Sequence, residues 1–250
     1  MRKNHLIIYI IFVFIACLST IIQEWGFNFN FIKGAFSNAN ANDMFYILTF
    51  ANGRIFMLTC PLLIMFLSTN DFHKIYHSGM LSQFCERENY EKYMKNEIIK
   101  IYLSNSFVYS FYILLMLILC FTLFKGTKIH MNMPLDIGTF AFVSVINSIL
   151  LSIFIINIAL ITTRYTKKNA IKLIVSYLTF IAYAIVSEVL IGGLMEQVIP
   201  GSMNSFSVFN LVVLDGNIYI TVTYAIIIAI ISTLIVYLSY KNKEKVLNDY

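Results

Sequence analysis

Charge is scarce in this chain, and so are proline, glycine and tryptophan. Only 12% of the 250 residues are Asp, Glu, Lys or Arg, whereas 59% are hydrophobic, and there are three prolines, ten glycines and one tryptophan. So little charge beside so much apolar surface excludes a disordered chain and argues against a soluble domain. The composition is that of a membrane protein, and the length suffices for several spans.

Cysteines are few, and the sequence motifs of enzymes are missing. Three of the four cysteines, Cys17, Cys60 and Cys120, lie in apolar runs, and Cys85 lies in a charged segment. No two have the close spacing of metal ligands, so we expect small buried residues rather than a disulfide framework. No G-x-x-x-x-G-K-[ST], GxSxG or HExxH sequence is present, so ATP binding through a P-loop is excluded within this chain. We expect no catalytic residue, no metal and no cofactor here.

Six apolar runs are present, and each is long enough to cross about 30 Å of hydrocarbon. They predict an all-α polytopic membrane protein with a single transmembrane domain over residues 1–250. The predicted spans are Leu6–Ile22, Ile47–Leu67, Ile101–Phe124, Ile137–Thr162, Ile171–Ile191 and Ile218–Tyr240.

The distribution of Lys and Arg predicts the orientation of these spans. If both termini are cytoplasmic, the inner side carries 14 of the 18 basic residues, the outer side carries Lys33, Lys125 and Lys128, and Arg54 falls within a span. Positive charge concentrates on the cytoplasmic side of membrane proteins. We therefore place both termini inside. The first run is interpreted as a retained helix rather than a signal peptide, since the small-residue sequence Ala39–Ala41 lies far beyond Ile22.

Two outer segments differ in character. Gln23–Asp43 carries alternating aromatic residues among asparagines, which suits the membrane interface. Gly192–Gly216 contains two consecutive glycines and Pro200–Gly201, and it is too interrupted for a span but too apolar for an exposed loop. It predicts a re-entrant or interfacial hairpin whose backbone is satisfied by protein.

One cytoplasmic segment, between the second and third spans, concentrates the charge. Gln83–Lys100 holds eight of the 31 charged residues. Tyr90, Met94 and Ile98 share one helical stripe with Ile101, while the pairs Glu88–Lys92 and Glu91–Lys95 lie opposite. This pattern predicts an amphipathic helix that runs into the third span. Such a helix either rests on the anionic inner leaflet or docks a cytosolic partner. Its glutamates favour a protein partner.

Polar residues within or beside the spans are candidates for the translocation pathway. Arg54 is costly in a membrane and should face protein or water, next to Asn52. Glu188 lies at a similar depth, so either the two pair or each reaches water separately. Ser144, Ser148 and Ser152 with Asn147 form a small-residue stripe typical of close helix packing. His73 and His77, four residues apart, fit a wet helix end better than a metal site.

The whole pattern resembles the membrane subunit of ABC-2-type exporters, the permeases that work with a separate ATPase. It combines six spans, inward termini, a charged helix in the first cytoplasmic loop and an apolar hairpin before the last span. The closest local match is "CERENYEKYMKNEIIKIYLSN", with Arg87, the pair Lys92–Tyr93 and Lys95 at the family's positions. The chain looks most like permeases of peptide exporters, the bacteriocin-immunity and phenol-soluble modulin groups of Gram-positive bacteria. It departs from the family in its very short segment before Leu6 and its short second cytoplasmic loop.

The resemblance implies a mechanism and a set of partners. Two permease chains, identical or paralogous, would form the pathway in a bacterial plasma membrane, above two ATPase chains that bind ATP and Mg²⁺. The cargo would be an amphipathic or hydrophobic peptide, and no nucleic acid is expected. The pathway residues would be Asn52, Arg54, Asn147 and Glu188. The ATPase-docking residues would be Glu86, Arg87, Glu88, Tyr90, Glu91, Lys92, Tyr93 and Lys95.

Two other functions stay open. The chain could be an accessory or sensor protein that binds a peptide at its aromatic outer segment without transport. An ion-driven transporter is a weaker alternative, because it would need more acids within the membrane than Glu188 alone.

Overall fold

The computed structural model describes residues 3–25, 38–51, 54–81, 83, 89–126, 136–214, 217–242 and 246. These residues form helices and the turns that join them, without a β-strand among them. A single parallel bridge between Asn40 and Gly126 is the one β-type contact within this part of the chain. The predicted all-α class is therefore confirmed.

In the first half of the chain, the described residues form five helices. α1 is followed by the short α2, which continues as a π-helical segment at Ile47–Ala51, and α3 contains Pro61. The bounds are α1 Lys3–Trp25, α2 Ala41–Tyr46, α3 Arg54–His77, α4 Tyr90–Asn105 and α5 Val108–Leu123.

In the second half, the described residues form five more. α7 passes through a π-helical segment at Ser187–Gly192 directly into α8, and a 3₁₀ turn at Met203–Phe206 precedes α9. The bounds are α6 Ile137–Tyr165, α7 Asn169–Val186, α8 Gly193–Val198, α9 Asn210–Val213 and α10 Ile218–Tyr240.

Five helical stretches of the described chain are long and apolar enough to cross a membrane. They are His5–Ile22, Tyr90–Leu123, Ile137–Tyr165, Asn169–Val198 and Ile218–Tyr240. Five of the six predicted spans fall on these stretches, and the last agrees residue for residue. The other, Ile47–Leu67, divides between the π-helical segment and α3 and is not among the five. The sixth span stays a prediction.

The predicted hairpin begins later than the sequence suggested. Gly192 and Gly193 both have helical backbone angles, so the helix continues to Val198 instead of ending at the two glycines. The chain reverses at Pro200–Gly201, where Gly201 has a φ of +80° that favours glycine. Beyond this turn, Phe206, Val208 and Leu211 are buried. Protein therefore covers this part of the segment, while the re-entrant hairpin and its depth in a membrane stay predictions.

The chain forms two compact units. One comprises Met1–Cys60 and Val108–Ile146, the other Pro61–Phe107 and Asn147–Tyr250. In the first unit, α1 and α2 pack on α5. Phe56 stacks on Tyr112 at 4.0 Å between ring centroids and meets the Tyr109 ring edge-on at 5.4 Å. Aromatic packing therefore forms the centre of this unit.

Within the second unit, side chains near the ends of several helices are tied together by hydrogen bonds. Tyrosine, histidine, asparagine and lysine side chains there donate hydrogen bonds to groups on other helices. Three cysteines of the chain, Cys17, Cys60 and Cys120, are buried and unbridged, as expected for small apolar side chains. Cys85 lies outside the described residues.

Candidate functional site

The predicted docking helix exists as α4, and its two faces differ as the stripe predicted. Asn89 caps the helix, because its side-chain oxygen accepts a hydrogen bond from the Glu91 amide at 3.0 Å. Tyr90, Met94 and Ile101 are buried on one face. Exposed charged side chains occupy the other, namely Glu91, Lys92 and Lys95. The predicted amphipathic helix is thus present, with a charged face free for contact.

The other predicted docking residues fall in different places. Tyr93 is half-buried, and Glu86, Arg87 and Glu88 lie outside the described residues. The ion pair recorded on α4 joins Lys100 to Glu97 at 3.1 Å, three residues apart. Glu91 and Lys95 form none, contrary to their favourable spacing. An exposed ion pair at this spacing contributes only a few tenths of a kcal/mol to stability in water. Hydration of the two separate charged groups is therefore about as favourable as forming the pair.

Tyr90, one of the predicted docking residues, is buried within the chain, with 5% of its surface exposed. Its hydroxyl donates to the backbone carbonyl of Tyr240 at 2.6 Å, at the end of α10. The hydroxyl of Tyr240 in turn donates to the carbonyl of Leu160 in α6 at 2.6 Å. Phe72 meets the Tyr240 ring edge-on at 5.8 Å. Tyr90 and Tyr240 therefore link α4, α10 and α6 in series.

A second polar contact joins the same three helices further along. The Asn157 amide nitrogen donates to the hydroxyls of Ser232 at 2.8 Å and Thr233 at 3.1 Å. The hydroxyl of Tyr102 donates to the Asn157 side-chain oxygen. All of this asparagine's donors and its acceptor are engaged. Buried amides fully satisfied in this way fix the register of neighbouring membrane helices.

The two histidines of α3 cap the end of α6. Nε2 of His73 donates to the Thr166 carbonyl at 2.9 Å, and Nε2 of His77 donates to the Thr163 carbonyl at 2.8 Å. The last carbonyls of a helix lack partners within the helix, and these rings supply donors. His73 is 4% exposed, so the expected wet helix end is wrong for this residue. Burial, offset in part by its hydrogen bond to Thr166, lowers the pKa of His73, and the charge of Lys172 lowers it further.

Lys172, one of the basic residues that the charge distribution places on the inner side, is a buried cation in the structure. It is 0% exposed, and its Nζ donates to the Thr69 hydroxyl of α3 at 2.9 Å. One turn away, the Asn169 amide donates to the side-chain oxygen of Asn70 at 2.8 Å. No carboxylate of the described chain lies within ion-pair distance of Lys172. Only the tertiary structure could reveal this, because Lys172 ends an ordinary cluster of basic residues in the sequence.

A groove of about 400 Å³ lies between α4 and the end of α10. Its floor is apolar, with Met94, Ile98, Ile99 and Val236, and its rim carries Glu91, Lys95 and Lys241. The ammonium of Lys241 lies 5.9 Å from the centre of the Tyr237 ring, within reach of a cation–π contact. This is a concave, mostly apolar surface with a few charged groups, which is the usual form of a ligand site.

Of the predicted pathway residues, the structure describes the side chains of Asn147 and Glu188. Asn147 is fully buried, and its amide donates to the Leu211 carbonyl at 2.9 Å, so it holds the buried half of the hairpin. Glu188 is exposed and accepts a hydrogen bond from the Ser207 hydroxyl at 3.0 Å. The Arg54 side chain and Asn52 lie outside the described residues, so the pairing of Arg54 with Glu188 stays a prediction. Ser144, Ser148 and Ser152 are all 0% exposed, in agreement with close packing.

Glu196 was not singled out from the sequence, yet it holds the turn of the hairpin. Its two carboxylate oxygens accept hydrogen bonds from the backbone amides of Gly201 at 2.6 Å and Met203 at 2.8 Å. A glutamate four residues before Pro200–Gly201 is a weak sequence signal for such a cap. Asn147 and Glu196 thus make three hydrogen bonds to the backbone of this segment.

The arrangement joins helices and offers a surface for binding. The tyrosines and histidines nearest the charged helix bond to backbone carbonyls, which positions helices relative to one another within this unit. Comparisons with protein-family models, with curated proteins and with solved structures find no match to the chain.

Proposed function

We propose that the chain is the membrane permease subunit of an ATP-binding-cassette exporter that works with a separate cytosolic ATPase. The observation that carries the proposal is α4, an amphipathic helix anchored by Tyr90 and exposing Glu91, Lys92 and Lys95. A charged helical face at the predicted cytoplasmic end of a bundle suits a protein partner. Because the chain has no P-loop, energy from ATP would have to come from that partner.

The buried side of α4 provides a route for mechanical coupling. Tyr90 holds α4 to α10, and Tyr240 holds α10 to α6. Asn157 repeats this linkage further along the same helices. A push on α4 during ATPase closure would therefore move α10 and α6 together. Tyr90 acts in this scheme as the anchor of the docking helix, and the exposed charged residues make the contact.

The remaining parts of the proposal rest on the sequence. The chain would have six spans with both termini inside, in a bacterial plasma membrane, and would pair with a second permease chain above two ATPase chains that bind ATP and Mg²⁺. The cargo would be an amphipathic or hydrophobic peptide. Apolar surfaces rich in Phe, Ile and Met adapt to varied apolar shapes, which supports that class of cargo.

Co-purification tests the proposal directly. The chain is expressed with a tagged ATPase encoded beside it, extracted in mild detergent, and the subunit masses of the captured complex are measured. We expect a complex of two permease and two ATPase chains. A chain that purifies alone with every neighbouring ATPase contradicts the proposal and favours the accessory or sensor alternative.

A charge exchange on α4 localises the contact. Glu91→Lys combined with Lys92→Glu keeps the net charge but inverts the exposed face, and we expect at least a tenfold loss of captured ATPase. The matched control is Glu97→Lys with Lys100→Glu, which exchanges the ion pair on the same helix. If the two variants capture equal amounts of the ATPase, the exposed face of α4 is not the docking surface.

A further inference from the structure

The groove between α4 and α10 has the size and lining of a site for one hydrocarbon chain. Its volume is about 400 Å³, and its floor consists of Met94, Ile98, Ile99 and Val236. Ile99 is 42% exposed, so this apolar floor is open to a ligand. A ligand that covers an apolar surface binds more tightly in proportion to the apolar area that is removed from water.

The rim of the groove carries more positive than negative charge. Lys95 and Lys241 are both exposed and line it, with Glu91 as the one acid among the lining residues. Neither lysine forms an ion pair with a carboxylate in the described chain, and Lys241 rests over the Tyr237 ring. Two unpaired ammonium groups beside an apolar floor complement a ligand that has an anionic head and an apolar tail.

The surface on either side of the groove continues as apolar helix faces. Leu103 on α4 is 67% exposed, and Leu234 and Leu238 on α10 are 55% and 65% exposed. α10 is one of the five stretches that can cross a membrane, and it ends at Tyr240, next to the rim lysine. Tyrosine and lysine at the end of such a helix mark the level of the headgroups. If α10 crosses a membrane as far as Tyr240, the groove lies where the hydrocarbon of the bilayer meets its polar surface.

We propose that this groove binds one anionic phospholipid. An acyl chain lies along the floor and leaves between Leu103 and Leu238, and the phosphate is held by Lys95 and Lys241. Glu91 limits how far the phosphate can move toward the start of α4. The bound lipid would fill the space between α4 and α10 that protein side chains leave open, and so brace the docking helix.

A lipid fits this groove better than a segment of a soluble protein does. A peptide from a cytosolic partner would have to cover a floor that continues into the exposed apolar faces of α4 and α10. In a membrane protein, such exposed apolar faces contact the hydrocarbon of the bilayer. Only a lipid has both an apolar chain for these faces and a charged head group for the lysines beside them.

Native mass spectrometry of the purified chain, without any ATPase, tests the site. The protein is titrated with phosphatidylglycerol and phosphatidylcholine of identical acyl chains, and the affinity ratio is measured. We expect wild type to retain one phosphatidylglycerol preferentially. Lys95→Gln with Lys241→Gln should reduce that preference about 30-fold, from the usual contribution of a lysine near anionic lipid. Ile99→Trp, which fills the floor, should weaken binding of both lipids.

Lys92→Gln is the matched control, because it removes one charge from the same helix outside the groove. If it lowers the preference as much as Lys95→Gln alone, only general surface charge is acting and the site is refuted. An unchanged ratio in the double variant, or lipid binding untouched by Ile99→Trp, also overturns the proposal. Thermal melts of each variant verify that it is folded. The assay needs no ATPase, so its failure is distinguishable from failure of the proposed function.

Discussion

The hydroxyl of Tyr90 donates a hydrogen bond to the carbonyl of Tyr240, 150 positions later in the chain, at 2.6 Å. The bond connects the first residue of α4 to the last residue of α10. Both partners are buried, so water does not compete for either group. This bond therefore ties the start of the charged helix to the end of α10.

Tyr90→Phe should loosen α4 without creating a cavity. The ring is kept, but one buried hydrogen bond is lost, which costs about 1 kcal/mol. We expect the melting temperature to fall by about 2–4 °C and amide hydrogen exchange to accelerate over Tyr90–Ile101. Tyr219→Phe, at a position 85% exposed, is the control and should change neither quantity. Unaltered exchange in α4 would show that this bond does not anchor the helix.

Alanine substitutions at the neighbouring residues Gly192 and Gly193 should have opposite effects on the stability of the protein. A Cβ at Gly192 would lie 2.9 Å from the backbone oxygen of Met203, whereas a Cβ at Gly193 would meet nothing within 4 Å. Both residues are helical, so alanine at Gly193 should stabilise the protein by about 0.5–1 kcal/mol. Gly192→Ala should destabilise it, because the 3₁₀ turn of the hairpin must move away.

Thermal unfolding of the two variants in the same detergent measures this difference. Equal melting temperatures would mean that the hairpin does not rest against Gly192.

His73 should make the protein less stable in mild acid. Burial, followed by the nearby charge of Lys172, holds the pKa of His73 below the usual value near 6.5, despite the opposing hydrogen bond to Thr166. The unfolded chain therefore binds the proton more readily, so stability is full above about pH 6.5 and falls as the pH drops below it. We expect melting temperatures between pH 7.5 and 5 to show this decline.

His73→Gln keeps a donor for the Thr166 carbonyl but cannot take up a proton in this range. The variant should have a flatter dependence on pH than wild type. Lys172→Met removes a neighbouring positive charge and should reduce the decline as well. If the melting temperature of His73→Gln falls with pH as steeply as that of wild type, another group is responsible for the acid sensitivity.

Lys172→Met should raise thermal stability. The lysine is fully buried, and its ammonium has the Thr69 hydroxyl as its side-chain partner, so its lost hydration is only partly replaced. Exchange of buried charges for apolar groups of similar volume is often neutral or stabilising by about 1–4 kcal/mol. Lys168→Met, which removes an exposed lysine nearby, should have no such effect. A lower melting temperature for Lys172→Met would show that the buried ammonium stabilises the fold.

The periodic features of the chain could be predicted from the sequence. Ile218–Tyr240 was located to the residue because an uninterrupted apolar run determines both ends of a span. The buried stripe of Tyr90, Met94 and Ile101 followed from helical spacing. The start of the hairpin was wrong, because Gly192 and Gly193 were taken as helix breakers. Both glycines continue the helix despite their weak helix propensity, and Gly192 packs closely against Met203.

The sequence by itself determined that this is a helical protein with membrane-length apolar stretches and one concentrated charged helix, since hydropathy and spacing are local properties. Only the tertiary structure decided what those polar residues contact. In the folded chain, His73 and His77 cap α6, and Lys172 is buried against Thr69. Tyr90 is hydrogen-bonded to Tyr240. These contacts join residues far apart in the chain. Their partners are chosen by how the helices pack, because a buried polar group must find a donor or acceptor wherever packing brings one.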